Sequence, residues 1–130
     1  MVGLVIVSHS RKIAEGVVDL ASQMAPGFEG IRAAGGLDDG GIGTDAMRIM
    51  AAVEAVDSGD GVLILCDIGS AVMSAETAIE LLEERGERVK IADAPLVEGA
   101  VVAAVEAFAG EPLETVLKAA EDARSGRKLE

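Results

Sequence analysis

Two short runs without a polar side chain constrain this chain more than any other feature: Leu4-Val5-Ile6-Val7 and Val62-Leu63-Ile64-Leu65-Cys66. A strand with one wet face alternates apolar and polar residues. Continuous aliphatic runs of this length belong to strands buried on both faces, as in parallel sheets covered by helices. A stretch with helical spacing follows each run. After the first, Ile13, Val17, Leu20, Ala21 and Met24 form one stripe over Arg11 to Met24, with Ser10 as N-cap and Pro26-Gly27 as stop. After the second, Ile68 to Ala71 is a turn into a helix with Val72, Ala75, Ile79 and Leu82 inward and Glu76, Glu80, Glu83 and Glu84 outward, ended by Gly86.

Between them, Phe28 to Ala34 reads as a weaker strand, and Thr44, a natural N-cap, opens a helix whose stripe is Ala46, Ile49, Met50, Val53 and Val56. Arg88 to Ala92 is a short fourth strand, and Pro95 to Gly110 is a helix apolar nearly all round. The last helix starts at Glu111 with Pro112 in its first turn, and its stripe is Leu113, Val116, Leu117 and Ala120. Strands alternating with helices predict an α/β three-layer sandwich with a four-stranded, mainly parallel sheet in the order 2-1-3-4. The 130 residues fit one domain, 1–125, with a polar tail over 126–130. The all-round apolar helix needs cover on two sides. The sheet is one; a second subunit, making a homodimer, is the simplest other, and the last helix is the alternative.

With two Phe and no Tyr or Trp, the core is built from small and aliphatic residues. A net charge of -12 argues against nucleic acid and against an anionic membrane surface, both of which select for Lys and Arg. It serves solubility, or a docking face for a basic partner. The single cysteine, Cys66, reads as a buried thiol. No secretory leader or membrane-spanning run is recognisable, so the expected location is cytoplasmic.

The only histidine, His9, ends the first run, and Asp67 ends the second. In the order 2-1-3-4 these strand ends are neighbours at the topological switch point, where open α/β sheets bind ligands. Helix starts at Thr44 and Ser70 open on the same edge, and their free N–H groups bind phosphate without Lys or Arg. The five glycines from Gly35 to Gly43 make either a flexible loop or a backbone approached closely. A metal site does not fit one His and one usable Cys. The glycine loop lacks the Gly-Lys-Ser/Thr of a nucleotide P-loop. A Ser-His-Asp hydrolase with Ser8, Ser10 or Ser70 finds no nucleophile-elbow pattern. What remains is His9 as a nucleophile that carries a phosphoryl group. Asp67 would fix its tautomer, or would only cap the turn; Ser70 would be an N-cap, a site residue, or both.

Val-Ser-His-Ser at 7–10, Ile-Gly-Thr-Asp at 42–45, Asp-Ile-Gly-Ser-Ala at 67–71, Ser-Ala-Glu-Thr-Ala at 74–78 and Ala-Pro-Leu-Val-Glu-Gly at 94–99 resemble one family. It comprises the phosphotransfer subunits (DhaM) of phosphoenolpyruvate-dependent dihydroxyacetone kinase, whose N-terminal domain is related to mannose-type enzyme IIA of the sugar phosphotransferase system. The resemblance implies that His9 accepts phosphate from the carrier protein HPr and passes it to ADP on the nucleotide-binding subunit, DhaL. It implies Asp67 as the neighbour of the active histidine. Ser10, Gly43, Thr44, Gly69 and Ser70, at or beside the helix starts on the same rim, are the expected phosphate-binding residues. The chain would need no cofactor of its own, ADP/ATP and Mg belonging to the partner, and it would dimerise. The alternatives are a mannose-type enzyme IIA for sugar uptake, disfavoured because Ile68-Gly69-Ser70 lacks the tryptophan typical there, and a non-catalytic regulatory docking module.

Overall fold

The computed structural model describes residues 1–129. Four strands, β1 (Gly3–Ser8), β2 (Ile31–Gly35), β3 (Val62–Cys66) and β4 (Val89–Ala92), form one sheet in the order β2-β1-β3-β4, every pairing parallel. Helices α1 (Arg11–Met24), α4 (Leu96–Phe108) and α5 (Leu113–Asp122) cover one face, and α2 (Ala46–Val56) and α3 (Gly69–Leu81) the other.

The two polar-free runs behave as their composition requires. Along β1, Leu4 and Ile6 point into the layer of α1, α4 and α5, whereas Val5 and Val7 point into that of α2 and α3. Along β3, Leu63 and Leu65 face the first layer and Val62, Ile64 and Cys66 the second. This is the alternation of a pleated strand whose two faces are both core.

Several local expectations are corrected. The buried face of α1 is Ala14, Val17 and Ala21, while Ile13, Leu20 and Met24 stand exposed. The sheet lies too close for large side chains. A Cβ on Gly35 would sit 2.8 Å from both the Ala14 Cβ and the Ser10 carbonyl oxygen. The same holds on α3 and α4, whose innermost residues are Ala71, Ala75 and Ala78, and Gly99, Ala100, Ala103, Ala104 and Ala107. β2 begins at Ile31 rather than Phe28. The N-cap of α2 is Asp45, not Thr44; its carboxylate accepts the Met47 N–H at 2.9 Å. Helix α3 starts at Gly69 and gives way after Leu81 to a 3-10 turn over Glu83–Arg88 that contains Gly86. The all-round apolar α4 is packed by α5 and α1 as well as by the sheet, so the last helix does cover it. Val97, Val105 and Phe108 nevertheless stay exposed along it. In the C-terminal tail, Lys128 pairs with Glu98; residue 130 lies outside the described residues.

Candidate functional site

Parallel strands end together, and the register pairing Val7 with Cys66 carries their next residues onto one rim. The Asp67 amide donates to the Val7 carbonyl, extending the ladder one step. His9 and Asp67, 58 residues apart, therefore face each other: the His9 ring Nδ1 lies 3.0 Å from Asp67 Oδ1.

Asp67 is held by four donors. Its Oδ2 accepts the Ser8 hydroxyl and the His9 backbone N–H, both at 2.9 Å. Its Oδ1 accepts the Ile68 N–H at 2.7 Å and faces the imidazole Nδ1. Partial burial alone would push this carboxyl up, but the hydrogen bonds from His9, Ile68 and Ser8 outweigh it and hold the group below its ordinary value. The aspartate stays an anion and can only accept. In a neutral ring this assigns the proton to Nδ1 and leaves the Nε2 lone pair free.

Nε2 points outward to the rim, 2.6 Å from the exposed Ser70 hydroxyl. Ser70 is the second residue of α3, whose N-cap, Ile68, offers no side-chain acceptor. The first amides of a helix have no partner within it, so Gly69 and Ser70 contribute unpaired N–H groups to the tip of the helix whose Ser70 hydroxyl meets Nε2. A Cβ on Gly69 would meet nothing within 4 Å, so this tip is open to a ligand. The start of α2 differs, because the Asp45 carboxylate already occupies its positive end.

The other expected site residues serve as supports. Ser10 caps α1 through Ile13 and gives its own N–H to the Ser8 hydroxyl. Gly43, at φ +154°, spends its N–H on the His9 carbonyl at 2.9 Å, and Gly36 gives its N–H to the Ser8 carbonyl. The glycine-rich loop is thus folded against the β1–α1 corner, and the backbone it approaches closely is the chain's own. The Thr44 hydroxyl pairs with Ser74 at 2.6 Å, tying the entry of α2 to α3. Sequence reasoning missed two supports, Ser74 and the buried Ser8, which serves Asp67 and Ser10 at once. The signal for Ser8 was available: it is the one polar residue of an otherwise apolar strand.

The surroundings suit a protein partner. Ile42, Met47, Ile68 and Met73, on the loops and first helical turns that carry the site, are all well exposed. Beside the Asp67-Ile68-Gly69 turn lies a cavity of about 530 Å³ reaching between α3 and β4.

Comparison with known proteins gives a consistent picture. The family of PTS system fructose IIA components (EIIA-man) matches residues 3–117. The chain is 46% identical to the phosphoryl donor subunit DhaM of the PEP-dependent dihydroxyacetone kinase of Pantoea ananatis, over 100% of this chain and 28% of that one. It is 48% identical to the corresponding Escherichia coli subunit, over 90% of this chain and 26% of that one. It therefore spans little more than a quarter of these two relatives. It is 43% identical to DhaM of kinase 2 of Listeria innocua, over 91% of this chain and 95% of that one. A crystal structure of a protein of unknown function, EF1359, superposes with TM-score 0.83 at 37% identity, covering 93% of each chain.

Proposed function

The chain belongs to the EIIA-man family of PTS system fructose IIA components, among its DhaM members, and from that membership we propose that it is a phosphohistidine carrier within a dihydroxyacetone kinase. His9 Nε2 attacks the phosphorus of a donor phosphohistidine on HPr; the new N–P bond forms as the donor's breaks. The positive charge that develops on the ring is balanced by Asp67 through Nδ1–H. The Ser70 hydroxyl turns from Nε2 to a phosphoryl oxygen, joined by the free amides of Gly69 and Ser70. Gly43, Thr44 and Ser10 hold the histidine's corner and the neighbouring helix entries in place. In the second half-reaction the phosphoryl group passes to ADP on DhaL, in the cytoplasm, and the nucleotide and its Mg belong to that subunit.

The observation that carries this reading is the pairing of a carboxylate-oriented Nδ1 with an outward Nε2 at an uncapped helix tip. The exposed apolar residues around it favour large protein donors and acceptors over a free metabolite. The experiment is incubation with enzyme I, HPr and phosphoenolpyruvate followed by intact mass. The wild type should gain one phosphate and His9→Ala none, with the fold retained. A wild type that gains no phosphate overturns the reading. Transfer onward to a sugar transporter, instead of to nucleotide-loaded DhaL, would favour the sugar-uptake alternative.

A further inference from the structure

We propose that Ser70, His9 and Asp67 form a second reactive unit that hydrolyses small, uncharged carboxylic esters through a Ser70 acyl intermediate. Three observations converge. The hydroxyl is 2.6 Å from Nε2 and the carboxylate 3.0 Å from Nδ1, so a hydroxyl, a base and an orienting acid stand in line. The tautomer fixed by Asp67 leaves Nε2 able only to accept, so the Ser70 proton already points at the base. Ser70 is also exposed in the first turn of α3, at the rim of a parallel sheet; it is not on a strained elbow, but the unpaired first amides of that helix, Gly69 and Ser70, are the donors available to an oxyanion. The other two serines of the rim are otherwise committed: Ser8 is buried on Asp67, and Ser10 caps α1.

The substrate class follows from the surroundings. Of this unit only Asp67 lines the cavity beside the turn; its other walls are Ile68 and Gly69, which precede Ser70 in the chain, and Val72, Ile91 and Ala92, so an apolar acyl or alcohol group on Ser70 would have to extend across that turn to reach it. Glu76 and Asp93 at its edge, on a chain of net charge -12, disfavour anionic esters. In the acylation step Ser70 Oγ bonds to the carbonyl carbon while its proton passes to Nε2. The ester C–O bond then breaks, and the alcohol leaves with that proton. Water repeats the sequence on the acyl-serine: its proton goes to Nε2, the acid departs, and Ser70 Oγ recovers the proton. Phosphoryl transfer uses Nε2 as nucleophile, whereas this reaction uses it as base. The ester reaction needs no other protein and stands or falls independently of the carrier reading.

The test uses the full chain with p-nitrophenyl acetate, following p-nitrophenolate release and locating the acetyl group by peptide mass after acid quench. Acetyl on Ser70 is expected, with turnover reduced about 100-fold or more in Ser70→Ala and in His9→Gln. Acetyl on His9 or on lysines, or a folded Ser70→Ala variant within about twofold of wild type, overturns the proposal. A measurement on the wild type alone guards against a variant that does not fold. Diisopropyl fluorophosphate should label Ser70 with loss of fluoride, and absence of that adduct overturns the proposal equally.

Discussion

Asp67 collects donors from three residues, and two of them, Ser8 and His9, lie almost sixty positions away in sequence. Its depressed titration has a consequence for stability. A carboxyl whose folded value lies below its ordinary one, near 3.8, stabilises the fold fully at pH above that ordinary value. The contribution is lost as pH falls through the lower folded value. Urea melts over an acid pH series should show this loss in the wild type and a weaker pH dependence in Asp67→Asn. Transfer in that variant should be slowed but not abolished, because Nε2 remains while its orienting charge is gone. An unchanged transfer rate would reduce Asp67 to a cap of the turn. Ser8→Ala removes a buried hydrogen bond to a charged group and should cost about 1.5–3 kcal/mol in the same melts. At this scale His9 was legible because it is unique, and Asp67 because it ends the second aliphatic run. That Ser70 meets Nε2 was not legible, since three serines competed and only the fold ranks them.

The helices show where periodicity misleads. On α1 the spacing marks a stripe through Ile13, Val17, Leu20, Ala21 and Met24; Val17 and Ala21 do face the sheet, but Ala14 joins them and Ile13, Leu20 and Met24 turn outward. Weighting by hydrophobicity ranks isoleucine above alanine, but the narrow gap between helix and sheet ranks them in reverse. Gly35→Ala tests that gap. The added methyl would meet Ser10 O and Ala14 Cβ at 2.8 Å, so overpacking should cost about 1–3 kcal/mol in thermal or urea melts. Loss of that order would also disturb the β1–α1 corner that carries His9. The caps tell a similar story. Thr44 and Asp45 are both good N-cap residues; the chain uses the second and sends the first across to Ser74.

For the molecule as a whole, the residues that left the core of α1 acquire a meaning on its surface. The C-terminal ends of α1 and α4 adjoin, since Phe28 and Phe108 have ring centroids 6.0 Å apart and Gly27 lies against the Phe108 ring. On these two adjoining helices Leu20 and Met24 of α1 and Val105 and Phe108 of α4 are all exposed apolar side chains. We propose the face that carries them as the homodimer interface, because these apolar residues stay exposed among the described residues. Light scattering at micromolar concentration should give twice the mass of 13.2 kDa, and Leu20→Glu with Phe108→Glu should return it to a monomer. A monomeric wild type refutes the assignment.

By itself the sequence determined the kind, order and approximate limits of the elements, the parallel sheet, and the rim on which His9 and Asp67 meet. Those properties follow from local spacing and from the restricted ways in which a chain can cross over a sheet. The tertiary structure alone decided which helix tip stays uncapped, which serine reaches Nε2, and which face of α1 turns to solvent. Each of these depends on distances between groups far apart along the chain, His9 and Ser70 being 61 positions distant, and a few tenths of an ångström in packing select among side chains of equal local promise.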